Sequence, residues 1–297
     1  MTAVLYDTPG PKARVRNAGL GGLGGILVVG IVTFVIYRFA ATGQFSAKRW
    51  EWIEYIEVQK LLLTALGNTL RAFAMGAVLA LAFGTVFAFG RLSDHRWINR
   101  PSTAIVEFFR AVPLLVLIFV LFFGVSRSLG FNFSAFWAVV VGLMLYNGSV
   151  LAEIFRAGVA SLPKGQSEAA YALGMHKTQV MTNVLLPQAV RAMLPTIISQ
   201  MVVLLKDTAL GFLIGYPELL FTTRTLGSQG RFDFPIIPIA ILVAAIYISM
   251  CLLLSMLANY VERRTRRGAK GGPVDPAAVA QAKEMVNLSH AQGGGIA

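Results

Sequence analysis

Six runs of about twenty apolar residues, each long enough to cross a bilayer, constrain this chain more than any other feature. They fall at roughly 20–41, 62–90, 104–126, 134–156, 195–217 and 236–260. Inside hydrocarbon every backbone N–H and C=O must find a partner within the protein, and a helix supplies all of them from its own segment. The expected fold class is therefore an all-α integral membrane protein with six transmembrane helices.

Charge supports that reading. Charged residues make up 13% of the 297 residues and hydrophobic residues 56%, whereas soluble domains carry roughly 25% charged residues. The net charge of +12 does not point to nucleic acid, because Lys and Arg lie between and beyond the apolar runs rather than on one face. Such sorting encodes topology. The connections 1–18, 91–100, 156–191 and 261–270 together hold fifteen Lys and Arg, and 43–60, 126–135 and 216–235 hold six. The first set, and with it both termini, is expected in the cytoplasm. The lone cysteine, Cys251, permits no internal disulfide or thiolate metal site, and His95, His176 and His290 lie outside the runs.

The boundaries expected are a cytoplasmic segment 1–18, a first span with an external interfacial segment over 19–59, a core over 60–262 and a tail over 263–297. Lys12, Arg14 and Arg16 before an apolar run also describe a signal peptide, but the uncharged stretch 18–37 is long for one, favouring a retained anchor. Trp50 and Trp52, among mixed charges, suit headgroup depth. Residues 275–287 allow a short helix in a tail otherwise expected to be disordered. No internal repeat of the secondary-transporter kind is visible. The chain has no Gly-Lys pair, so it has no Walker A loop for ATP.

Residues 157–194 are longer and more polar than a turn between spans requires. Pro163 and Gly165 should break the helix arriving from the fourth span. Ser167 can then cap a short helix with Glu168 in its first turn, and Gly174 suits a left-handed stop. A second short helix, about 176–186, should end at Leu186-Pro187. The product is a compact helix-turn-helix facing the cytoplasm. Small Ala169 and Ala170 would allow close approach, and Tyr171 and Leu173 would anchor it; an amphipathic pair lying on the membrane is the other reading.

The spacing Glu168-Ala169-Ala170, three residues, Gly174, nine residues, Val184, one residue, Leu186-Pro187 resembles the coupling loop of ABC importer permeases. Ser161-Leu162-Pro163-Lys164-Gly165-Gln166, Leu186-Pro187-Gln188-Ala189 and Leu205-Lys206-Asp207-Thr208-Ala209-Leu210 narrow the resemblance to the polar amino-acid branch (histidine, glutamine, glutamate). Asn68-Thr69-Leu70 and Arg110-Ala111-Val112-Pro113-Leu114-Leu115 extend it across about 60–260. The stretch from Val4 to Ala13 and Phe108-Phe109-Arg110-Ala111 further resemble the larger permease subunit of actinobacterial glutamate importers. The resemblance implies an alternating-access subunit in a bacterial cytoplasmic membrane that is not itself an enzyme. It implies no directly bound cofactor, with ATP and Mg on a partner ABC ATPase dimer docked at the loop. It also implies a second permease subunit, identical or a shorter relative, and an external amino-acid-binding protein.

Charges deep in a span cost roughly 2.5–3.5 kcal/mol each and need a reason. At 100° per residue, Thr196, Ser199, Gln200, Lys206 and Asp207 fall within an arc of about 120°, opposite Ile197, Met201, Leu204 and Leu205. That stripe is expected to face a substrate path, or else Lys206 and Asp207 pair with neighbouring helices. Arg110 can offer its planar fork to a carboxylate substrate or pair with Glu107. Asn147 joins the candidate path, Glu153 is expected to pair with Arg156, and Arg71 can snorkel or line the path. Asn68 and Thr69 offer uncharged groups near the outer mouth. Two other classes stay open: a self-sufficient secondary transporter or channel, which would run on an ion gradient alone, and a membrane scaffold, which would leave the polar stripe without a role.

Overall fold

The computed structural model describes residues 10–125, 128, 130 and 133–267. The segment Val4 to Pro9, the possible helix at 275–287 and the rest of the tail lie outside the described residues. Among the described residues the secondary structure is entirely helical: α1 Pro11–Ala41, α2 Ile56–Arg91, α3 Arg96–Ala111, α4 Leu114–Val125, α5 Ala135–Ala160, α6 Lys164–Ala172, α7 Lys177–Ile214, α8 Leu219–Gly227 and α9 Ile236–Arg267. Helices α1, α2, α5, α7 and α9 are each long and apolar enough to cross a membrane.

The expected third span, 104–126, is corrected. It is two helices, α3 and α4, bent by 97° at Val112-Pro113. Pro113 has no N–H to continue the ladder and biases Val112 to extended backbone, where φ is −82° and ψ 126°. The fifth span is corrected as well, since α7 begins at Lys177 and runs on to Ile214. Its turn Val180–Leu185 is a π-helix. That widened turn stands where the ring of Pro187 would meet the Asn183 carbonyl, so the helix passes the proline instead of ending there.

The chain divides into two compact units. One comprises the described residues up to Ala74 together with Phe119–Val139 and Thr208–Ser249. Here the 3-10 turn Ala47–Glu54 buries Trp52 to 1% exposure, stacked on Trp50 at 6.5 Å. The Trp52 ring thus packs in protein rather than standing free at the surface. Arg49 fixes the turn by donating to Asp233 at 2.9 Å, and Arg231 lies 4.7 Å from the Tyr55 ring centroid. Helix α1 buries no residue.

The other unit comprises Met75–Ile118, Val140–Asp207 and the residues from Met250 onward. Here α2 meets α5 through small residues, as membrane helices do when backbones approach closely. A Cβ on Gly84 would stand 2.8 Å from Leu151 Cβ and 3.0 Å from the Gly148 carbonyl, and one on Gly148 would stand 2.9 Å from the Phe83 ring. Gly142 clears Ile118 in the same way. Gly84→Ala should therefore lower the unfolding midpoint in detergent, equivalent to about 1–3 kcal/mol of overpacking. Gly67→Ala, whose Cβ meets nothing within 4 Å, should not; equal behaviour of the two variants would remove this contact from the account.

Candidate functional site

The loop at the end of α5 builds a small folded knob. Pro163 is the N-cap of α6 and Gly165 lies within its first turn, so the expected Ser167 cap and first-turn Glu168 are corrected. Ser167 instead donates to the Lys164 carbonyl at 2.8 Å, and Glu168 stands exposed in the second turn. The helix stops at Gly174 with φ +79°. Gly174 N–H donates to Tyr171 at 2.9 Å and Met175 N–H to Ala170 at 3.2 Å, the paired bonds of a Schellman stop.

Ala170 and Val180 are buried, so Ala170 belongs to the knob's own interior rather than to an outward face. Outward stand Glu168, Ala169, Tyr171, Leu173 and Gly174, with Leu173 83% exposed. Pro187 is exposed, while Leu186 lines an apolar cavity of about 190 Å³ with Phe89, Phe155 and Met193. Lys177 ties the knob to the turn after α2, pairing with Asp94 and donating to the Leu92 carbonyl at 3.3 Å.

The polar stripe of α7 divides into two environments. Gln200 Nε2 donates to Asn147 Oδ1 at 2.6 Å, and Asn147 Nδ2 donates to Asp207 at 3.1 Å. Asn147 is fully buried. Ser199 and Lys206 face instead into a groove of about 310 Å³ shared with Ser255 and Asn259 of α9. Among the described residues no carboxylate pairs with Lys206, and Asp207 has an amide rather than a cation as its partner. The expected alternative, an ion pair to neighbouring helices, is therefore not formed by either residue. The opposite face, Met201, Leu204 and Leu205, is buried in protein.

Arg110 joins a cluster of three arginines and two glutamates. Arg91 donates to Glu107 at 3.1 Å and forms an ion pair with Glu153 at 2.8 Å. Arg156 grips Glu153 at 2.6 and 3.1 Å, the local pair expected. Arg110 holds Glu107 at 3.4 Å and Glu153 at 3.7 Å, the two longest contacts of the group. The sequence reading missed Arg91, whose side chain is 8% exposed. It ends one apolar run, while its partners stand near the ends of others, and no local spacing joins them.

Asn68 and Thr69 are structural clasps rather than free groups at a mouth. Asn68 Nδ2 donates to the Pro217 carbonyl at 2.9 Å, and Tyr216 hydroxyl donates to the Asn68 carbonyl at 2.8 Å. Thr69 is fully buried and accepts from Leu219 N–H at 3.3 Å. Arg71 stacks on Phe136, its guanidinium carbon 4.5 Å from the ring centroid.

Also missed was Glu218, fully buried, which caps α8 by accepting from Leu220 and Phe221 N–H at 2.8 and 2.7 Å and from Tyr247 hydroxyl at 2.8 Å. The signal was present: Pro217-Glu218 before an apolar run is a helix start. Burial pushes the Glu218 carboxyl above the usual glutamate range, against the bonds that favour its charge. With the folded value above the unfolded one, its stabilisation is complete below the ordinary glutamate pKa and is lost as pH rises through the raised value. Glu218→Gln, neutral throughout, lacks this contribution, so the unfolding midpoint of the parent should fall relative to that of the variant from acid to neutral pH. A parallel decline in both would assign the pH dependence elsewhere.

With this geometry in place, comparison with known proteins gives a consistent result. Residues 76–267 match the family model described as the binding-protein-dependent transport system inner membrane component. The glutamate transport system permease protein GluD of Corynebacterium glutamicum is 42% identical over 238 residues, 77% of this chain and 84% of that protein. The arginine transport system permease protein ArtQ of Bacillus subtilis is 32% identical over 69% of this chain and 92% of its own length. A crystal structure of an amino acid ABC transporter with histidines superposes with TM-score 0.65 at 30% identity, covering 72% of this chain and 98% of that one. The MetNI methionine ABC transporter shares the fold, with TM-score 0.58 at 20% identity over 71% of this chain and 99% of that chain.

Proposed function

This chain belongs to the binding-protein-dependent permeases of ABC importers, amino-acid transport subunits whose ATPase is a separate polypeptide, and from that premise we propose that it lines the membrane path of a glutamate importer. The 42% identity to a glutamate permease across most of both chains is the observation that carries the substrate. Lys206 supports an anionic ligand, as a cation without a carboxylate partner among the described residues, facing an open groove within an apolar helix. A charge there needs a compensating group, and a substrate carboxylate provides one.

The transporting unit has two permease subunits, this chain with a copy of itself or with a shorter relative. An external binding protein delivers the amino acid. ATP and Mg bind the partner ATPase dimer, whose closure pulls on Glu168, Ala169, Tyr171, Leu173 and Gly174 of the knob. Helix α7 runs without a stop from Lys177 to Ile214, so motion of the knob reaches Gln200, Lys206 and Asp207 along one rigid element. The chain lies in a bacterial cytoplasmic membrane with both termini and the knob inside, following the positive-inside rule.

Three measurements test this reading. Proteoliposomes holding the assembled transporter should take up labelled glutamate only with ATP and binding protein, with aspartate and glutamine as competitors to rank; uptake driven by an ion gradient without the ATPase overturns it. Lys206→Met should reduce glutamate uptake about tenfold to a hundredfold, the worth of a charged hydrogen bond, while assembly persists. Unchanged uptake would remove Lys206 from the path. Gly174→Val, strained at φ +79°, should uncouple ATP hydrolysis from transport or release the ATPase on co-purification, and normal coupling would sink the lever assignment.

A further inference from the structure

Helix α3 has a face that neither the ion cluster nor the knob uses. Its inner side is engaged: Val106 is fully buried, Asn99 donates to the Arg91 and Ser93 carbonyls, and Glu107 accepts from Arg91. Its outer side presents Trp97, Pro101, Ala104, Ile105 and Phe108, a single stripe at helical spacing. Trp97 is 92% exposed and Phe108 60%. Arg96 and Arg100 stand one turn apart beside Trp97, exposed and without an ion pair among the described residues. With Trp97, Pro101 and Ala104 they line a shallow cleft of about 470 Å³.

The direction of α3 follows from its ends. It starts four residues beyond the last turn of α2. From there it runs back beside α2: Asn99 bonds the Arg91 carbonyl, Ser102 lies against Gly90, and Phe109 meets Phe83 with ring centroids 6.4 Å apart. Its first turns, with Arg96, Trp97 and Arg100, therefore stand at the end of the apolar helix α2, and its last turns lie beside the apolar body of that helix. The 97° bend at Val112-Pro113 then turns α4 away. An amphipathic helix in this position lays its apolar stripe against acyl chains and its cations among headgroups. A water-soluble protein partner would not match an apolar ridge that borders the hydrocarbon.

We propose that the Arg96–Trp97–Arg100 end of α3 is a binding site for an anionic phospholipid. The two guanidiniums hold its phosphodiester, for which their forked donors are suited. The indole of Trp97 lies at the headgroup boundary, and the acyl chains follow Pro101, Ala104 and Phe108. This site is separate from the groove at Lys206 and from the knob, and it anchors the inner end of the helix that carries Glu107 and Arg110.

Lipid binding to the detergent-purified, assembled transporter tests this directly, with occupancy read by native mass spectrometry during titration with phosphatidylglycerol or phosphatidylcholine. Phosphatidylglycerol should bind more tightly than phosphatidylcholine, and added salt should narrow the gap. Each arginine contributes about fivefold, so R96A/R100A should weaken phosphatidylglycerol binding roughly twenty-five-fold and leave phosphatidylcholine unchanged. R96K/R100K should retain most of the preference. Should the double alanine variant fail to assemble, Arg100→Gln alone should show the single fivefold step. Undiminished phosphatidylglycerol binding in R96A/R100A or Arg100→Gln overturns the proposal, as does equal affinity for the two lipids. Displacement by free glycerol phosphate at the same concentration would also overturn it, since the site would then recognise phosphate rather than a lipid.

Discussion

The contact between α2 and α5 sets the frame of one half of this protein. At Gly84 and Gly148 the two backbones approach to a separation that no Cβ would tolerate without a shift. In lipid, where burying apolar area gives little, such proximity and the dispersion it allows are what hold helices together. The consequences run along both helices. One turn of α5 places Asn147 in reach of Gln200 and Asp207. The next turns bring Glu153 to Arg91, at the end of α2. Loosening the glycine contact would move the polar chain and the ion cluster together.

Ionisable groups in an apolar chain are tolerated here in three ways. Arg91, with little exposure, is surrounded by two carboxylates that other arginines also hold, so no charge of the cluster is left alone. Glu218 sits at a helix start, where two backbone N–H groups and a tyrosine hydroxyl converge on it. Lys206 has neither arrangement and opens onto a groove. That contrast, more than its depth in a span, sets Lys206 apart from the charges committed to structural pairs.

The knob leads directly into α7 because Pro187 does not end the helix. A π-turn absorbs the proline, and the buried Ala189 and Met193 keep the following turns packed. The left-handed stop at Gly174, with its two backbone bonds, keeps the outer end of the knob from fraying. Leu173 and Tyr171 stand exposed just before that stop.

The apolar periodicity determined the helical membrane class, the number of apolar segments to within the broken third, and the position of the polar loop, because hydrocarbon permits few backbone solutions and runs of twenty residues are visible in one dimension. The stop at Gly174 and the Glu153–Arg156 pair were legible too, since both depend on spacing within one turn or loop. The register of other features belongs to three dimensions. The burial of Trp52, the passage of α7 through Pro187, and the gathering of Arg91, Glu107, Arg110 and Glu153 all depend on which distant helix lies alongside. Asn68 and Thr69 read as free polar groups until the chain near residue 217 folds back onto them. Local sequence sets what a segment can form; only packing decides which donor meets which acceptor.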